Sequence, residues 1–202
     1  MTSKVLRSSN RLLLVAALAC SVGALAGAAG GRGAGAPGIG HIQLSSPVVE
    51  PGGNLPIDHT QLGLDVSPPL VWSGLPEGTR ELALVFDGPY DVQPRPFVHW
   101  VVYNIPATVG GLDAGLAMDA LLEQPAALAG VRQGHTGWDS PGYRGPWPTR
   151  EPETYVFTIY ALDVDLDLPP GLDQDTLAAA IACHVVAIGE LRVTSQARGF
   201  SS

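Results

Sequence analysis

The sequence predicts a mainly β fold, a sandwich of two sheets with one or two short peripheral helices. Composition is the first reason: Gly (25) and Pro (18) together exceed a fifth of the 202 residues, while charged residues make up only 15%. That balance favours many turns and short strands over long helices. The second reason is a pair of long apolar runs, FVHWVVYNI at 97–105 and TYVFTIYALD at 154–163. In the first, strict alternation would set Phe97, His99, Val101, Tyr103 and Ile105 on one face, and Val98, Trp100, Val102 and Asn104 on the other. Both faces are largely apolar. In the second run, Tyr155, Phe157 and Ile159 oppose Val156, Thr158 and Tyr160 in the same way. Such strands must be covered on both sides, which fits central positions in a sheet packed against a second sheet.

Taken in order, the chain starts with a targeting segment at 1–26. Lys4, Arg7 and Arg11 form a basic start, residues 12–19 are an unbroken apolar run, and Ala24, Leu25 and Ala26 fit a small-residue cleavage pattern. The run is too short to span a bilayer. Ordinary cleavage after Ala26 is expected, with lipidation at Cys20 as the alternative, since Ala17, Leu18 and Ala19 precede that cysteine as in a lipoprotein signal. Removal of 1–26 takes three positive charges and no acid, so the net charge falls from −8 to −11. A mature domain with 19 acids and eight arginines is repelled by nucleic acid and by anionic lipid surfaces. Cleavage after Ala26 also leaves Cys183 as the one cysteine, expected to be buried and inert.

Residues 27–38 form a Gly/Ala-rich linker. Gly33, Gly35 and Gly38 have a GxGxxG spacing, but no strand precedes them and Pro37 interrupts, so a dinucleotide site is excluded. A single domain is expected over 39–202. It opens with a strand at 39–45, and a turn at Gly52, Gly53 and Asn54 leads into a further strand at 55–57. Pro68 and Pro69 hold the chain extended before a strand at 70–72, and Pro76 with Gly78 marks a turn into a strand at 82–86. Asp173 is placed to cap a helix over about 174–183, whose apolar stripe is Leu177, Ala180, Ile181 and His184. Pro125 limits the Ala/Leu-rich stretch 117–129 to one or two short turns.

The strands at 82–86 and 97–105 are joined by a loop carrying Pro89, Pro94 and Pro96. Asp87 ends the first strand, and the loop returns towards His99 and Trp100. A carboxylate, an imidazole and an indole are therefore expected to meet at one sheet end. The SPPLVW segment from Ser67, the PEGT turn from Pro76, HWVVYNIP from His99, GYRGPWP from Gly142, TYVFTIYALD from Thr154 and the HV step at His184 resemble, in this order, the motifs of the phosphatidylethanolamine-binding protein family. The resemblance is to its bacterial Raf kinase inhibitor-like members, and covers most of the chain after the linker. It implies a small surface pocket that takes phosphate or a phospholipid head group, without catalysis and without a cofactor.

Carried over residue by residue, the resemblance implies a ligand site of Asp87, Pro89, His99, Trp100, Gly145, Pro146, Glu153 and Tyr155. Two positions depart from the family pattern. The family's second loop Asp falls on Pro89 unless Asp91 takes its place, and its second His falls on Glu153. A site with an extra carboxylate should bind phosphate less well and tolerate an ammonium group or a divalent metal, with Arg144 and Arg150 as compensating charges. The expected ligand is thus a small anionic or zwitterionic group such as phosphate or phosphoethanolamine. Family members also inhibit kinases or proteases, so an extracytoplasmic protein target is the alternative. A metal or hydrolytic site at Asp87, His99 and Glu153 is the lesser reading, because neither HExxH nor GxSxG occurs. His41, His59 and His135 are taken as surface or loop residues, and the four tryptophans as core or pocket wall.

Overall fold

The computed structural model describes residues 38–89 and 96–197. Among them, nine strands form two sheets: β1 (Gly40–His41), β2 (Gln43–Ser45), β3 (Leu70–Ser73), β4 (Glu81–Gly88), β5 (Phe97–Pro106), β6 (Gly111–Leu112), β7 (Arg132–Gln133), β8 (Glu153–Leu162) and β9 (Val185–Ser195). The larger sheet runs β1-β9-β8-β4-β5-β7 and the smaller β2-β3-β6. All pairings are antiparallel except β1 with β9. The strand expected over 39–45 is thus split between sheets. Ile42, fully buried, is the crossing point: β1 pairs with β9, and one residue later β2 pairs with β3.

β4, β5 and β8 are the centre of the large sheet and are apolar on both sides, as the sequence predicts. One face packs against the small sheet through Leu44, Leu70 and Trp72 from the latter and Leu82, Leu84, Phe86, Trp100 and Phe157 from the former. The other face, with Ala83, Val85, Val101, Tyr103 and Tyr160, is covered by Leu177 and Ile181 of the helix α1 (Gln174–Ile181). Asp173 caps α1 by accepting the Thr176 N–H at 2.7 Å, the bond expected of an N-cap carboxylate.

Strict alternation fails along β5, and the failure shapes the site. Pairing with β4 shifts register between Phe86 and Asp87, where Trp100 and Val98 are the partners, and again between Leu82 and Leu84, where Ile105 and Val102 are. Each shift is a β-bulge with an extra residue on β5. Asn104, in the second bulge, has φ 55°. Trp100, Val102 and Ile105 consequently line the inter-sheet core while Val101 and Tyr103 face α1. A period-2 reading cannot see the added residues.

Other expectations are corrected locally. Residues 55–57 are not a strand: Asn54 makes a single bridge to Thr194, and a 3₁₀ turn follows at Ile57–His59. His59 is buried rather than superficial, its Nδ1 2.9 Å from the Val66 carbonyl oxygen. The stretch 117–129 holds one 3₁₀ turn, Ala126–Leu128, after Pro125. Cys183 is exposed, not buried; a chain cut after Ala26 keeps it as its one cysteine. The segments expected as targeting signal and linker, and the loop residues 90–95, lie outside the described residues, apart from Gly38. Among the described residues no helix is long and apolar enough to cross a membrane.

Candidate functional site

The end of β4 and the starts of β5 and β8 lie side by side, because β4 pairs antiparallel with both. His99 sits here, in the bulge between Val98 and Trp100. The bulge turns its ring onto the inter-sheet face, where the ring centroid lies 5.4 Å from Phe86 and 5.3 Å from Tyr155. Phe97 and Trp138 flank it edge-on, each at 5.3 Å. These aromatic walls leave His99 only 4% exposed.

Two hydrogen bonds tie His99 to the GYRGP loop. Its Nδ1 lies 2.8 Å from the Arg144 carbonyl oxygen, and the Arg144 N–H donates to the His99 carbonyl at 3.0 Å. A carbonyl accepts only, so Nδ1 carries the proton and Nε2 the lone pair of the neutral ring. Burial disfavours the imidazolium and lowers the His99 pKa from 6.5 to about 4, against a smaller opposite pull from the Arg144 and Gly145 carbonyls. Near neutral pH this ring is an acceptor.

The GYRGP loop is fixed from beneath. Tyr143 donates to the His59 carbonyl at 2.6 Å, and Gln61 Nε2 donates to the Gly145 carbonyl at 2.7 Å while its N–H donates to Pro146 at 3.0 Å. A Cβ on Gly145 would lie 2.3 Å from the His59 carbonyl oxygen, so only glycine permits this approach. The Gly145 N–H donates to Asp65 Oδ1 at 2.7 Å, and Asp65 Oδ2 is 3.7 Å from Arg144 Nε. The Arg144 guanidinium also lies 5.0 Å from the Trp138 ring centre, within cation–π range.

Glu153 opens β8 and accepts the Tyr155 hydroxyl at 2.9 Å through Oε2. Both residues, two apart on one strand, share the His99 face. Asp87 does not. Alternation along β4 puts it with Val85 and Ala83 on the α1 side, where Gln174 Nε2 donates to its Oδ2 at 3.3 Å. The residue that meets the site from β4 is instead Gly88, whose added Cβ would lie 2.0 Å from Tyr155 Cδ1. The expected meeting of carboxylate, imidazole and indole therefore becomes imidazole, phenol and the Glu153 carboxylate.

Trp100 is fully buried, its Nε1 donating to Gln133 Oε1 at 2.6 Å. Pro89 is exposed at the end of β4, Pro146 is buried in the loop, and Arg150 is exposed beyond it. Asp87, His99 and Glu153 do not converge: among the described residues no three His, Cys, Asp or Glu side chains are grouped to hold a metal ion. The sequence reading missed Asp65 and Gln133, whereas Trp138, expected as core or pocket wall, stands against His99. The GYRGP motif pointed to their neighbourhood, but nothing in the spacing names a loop partner 80 residues away.

The architecture is that of a two-sheet β-sandwich with its loop cluster at one end of the larger sheet. The model of the phosphatidylethanolamine-binding protein family matches residues 45–196. The chain belongs to that family. A UPF0098 protein of Methanothermobacter thermautotrophicus is 36% identical over 141 residues, covering 70% of this chain and 88% of the relative. A Mycobacterium tuberculosis protein named as lipoprotein LppC is 36% identical over 169 residues, 81% of this chain and 76% of that one. Among solved structures, the family homologue CT736 of Chlamydia trachomatis gives a TM-score of 0.68 at 28% identity, covering 78% of this chain and 99% of that one. YbcL of Escherichia coli gives 0.67 at 26% identity, with the same coverage.

Proposed function

We propose that this chain is an exported, non-enzymatic protein that binds a small head-group-type ligand of the phosphate or phosphoethanolamine class at His99. Tyr155, Glu153, Gly145 and Pro146 complete the site, while Asp87 and Trp100 hold it from behind and Pro89 stands at its edge. The observation that carries this reading is His99 itself. Burying a polar ring costs free energy unless it is used, and this one is turned by a bulge into an aromatic setting with its Nε2 lone pair uncommitted to the Arg144 bond. Among the described residues no Ser, Thr or Cys side chain is hydrogen-bonded to it, which favours binding over catalysis. Export rests on the basic start and apolar run of residues 1–26, and the name of the Mycobacterium relative is in keeping with it. Residues 27–38 then link the signal to a domain at 39–202, with cleavage after Ala26 or a lipid anchor at Cys20.

Thermal unfolding of the mature protein tests the ligand reading, with phosphate, phosphoethanolamine, ethanolamine and zinc run beside His99→Ala. Ligand at a hundred times its dissociation constant adds about 2.7 kcal/mol. A midpoint shift in the wild type but not in the variant supports the site; equal response of the two proteins overturns it. The alternative, an interaction module for an extracytoplasmic protein, is favoured by one feature. Trp147 is 59% exposed beside the site, next to a loop that exposes Leu62 and Leu64.

A further inference from the structure

We infer that Glu81 is a proton-operated latch: with a proton on Oε1 donated to Asn104 Oδ1 it fastens segment 163–172 to the large sheet, and without that proton it lets the segment loosen. The latch sits at the first residue of β4, the opposite end of that strand from the His99 site. It is independent of the ligand reading.

Polar side chains from three neighbouring strands hold the segment. Glu81 of β4 accepts the Leu166 N–H at 3.1 Å through Oε2. Asn104, in the second bulge of β5, donates from Nδ2 to the Leu168 carbonyl at 3.2 Å. Arg132 of β7 donates from Nη1 to the same carbonyl, and to Asp167 Oδ1 at 2.9 Å. A step further along, Tyr103 donates to the Pro169 carbonyl at 2.5 Å and accepts the Leu172 N–H at 3.1 Å. The segment so held brings Leu166, Leu168 and Leu172 to the α1-side core and leads into the Asp173 cap.

Two acceptors in this cluster are left over. Glu81 is only 5% exposed, and among the described residues its Oε1 and the Asn104 Oδ1 are buried without a hydrogen-bond partner. The Asn104 N–H also faces the Glu81 carboxyl. A buried acceptor without a donor is costly, and one proton on Glu81 satisfies both oxygens at once. Burial is the largest influence on the Glu81 carboxyl and raises its pKa; the Leu166 and Asn104 N–H groups pull it down, Asp165 adds to the rise and Arg132 subtracts from it. Asp165 is itself paired with Arg80 at 2.9 Å, and Asp167 with Arg132. Tyr103, its pKa raised by burial, stays neutral throughout. Once Glu81 ionises, its carboxylate competes with Leu168 and Asp167 for Arg132, whose buried Nε has no partner among the described residues. That competition loosens the segment.

The test follows Glu81 directly, by carboxyl-carbon NMR titration of the mature protein, together with amide hydrogen exchange at Leu166. The midpoint of Glu81 should lie above the ordinary 4.5. Leu166 should exchange at least threefold more slowly below that midpoint than above it, after correction for the intrinsic pH dependence of exchange. Glu81→Gln, whose amide donates at every pH, should show the slow rate throughout. Asn104→Gly keeps the left-handed backbone at φ 55° and removes the acceptor, so it should lower the Glu81 midpoint. A Glu81 midpoint at or below 4.5 would overturn the proposal, as would Leu166 exchange that ignores the midpoint or a Glu81→Gln protein that keeps the pH response. A midpoint unmoved by Asn104→Gly would overturn the shared proton. The titration and exchange of the wild type decide the matter even where a variant misfolds.

Discussion

Lowering the pH from 7 to 5 should destabilise this domain through His99, by an amount its burial fixes. In the unfolded chain the imidazole titrates near 6.5, and in the fold near 4. Between those values the unfolded state holds a proton that the folded state refuses. The contribution to stability is therefore present above pH 6.5 and is lost as the pH falls towards 4. The full separation corresponds to about 3 kcal/mol. At pH 5 about 2 kcal/mol of it is gone relative to pH 7, which lowers the midpoint of a domain of this size by about 4 to 8 °C. Glu81 acts in the opposite sense, since burial raises its carboxyl pKa and the fold then gains from protonation. Comparison with His99→Gln, which has no titrating ring, removes that contribution and those of other groups. Urea unfolding at pH 7, 6 and 5 should show wild type losing about 2 kcal/mol more than the variant. Parallel losses in the two proteins would mean that His99 titrates at its ordinary value, and the account of a neutral, desolvated acceptor would fall with it.

Three further perturbations probe the frame around that ring. Gly88→Ala forces Tyr155 to move, because the new Cβ would lie 2.0 and 2.3 Å from two of its ring atoms; about 1–3 kcal/mol of destabilisation is expected by chemical denaturation, together with weakened ligand binding. Gln133→Ala strands the Trp100 indole N–H and the carbonyls of Ala117 and Asp119 that Gln133 now satisfies. A loss of about 2–4 kcal/mol is expected, with altered tryptophan fluorescence. Asp173→Ala removes the α1 cap and should cost about 1 kcal/mol in urea, while leaving ligand titrations unchanged.

How much of this was legible depends on which physical signal each residue carries. The central strands were legible because β4, β5 and β8 are apolar on both faces, and only a doubly covered position satisfies that pattern. The α1 cap was legible because a single Asp at the right offset has one obvious partner. The split of 39–45 between two sheets was not legible: Ile42 is an ordinary apolar residue in sequence, and only its burial between two layers makes it a crossing point. The same holds for His59, bonded to the Val66 carbonyl, and for Gln133, bonded to the Trp100 indole and the carbonyls of Ala117 and Asp119. Sequence pattern reports periodicity, whereas satisfaction of buried polar groups is a three-dimensional matter.

The site shows this most sharply at Asp87 and His99. By alternation along each strand, the two are free to converge at the sheet end. Convergence depends on whether the pairing between β4 and β5 contains an even or odd number of extra residues, and the bulge at His99 supplies one. That one residue puts the imidazole on the inter-sheet face with Tyr155 and leaves Asp87 facing α1 and Gln174. Glu153 thereby ceases to be a second carboxylate beside Asp87 and becomes the acceptor of the Tyr155 proton. Among the described residues, the substitution expected to crowd Asp87 instead sets its carboxylate on the His99 face, bonded to the Tyr155 hydroxyl.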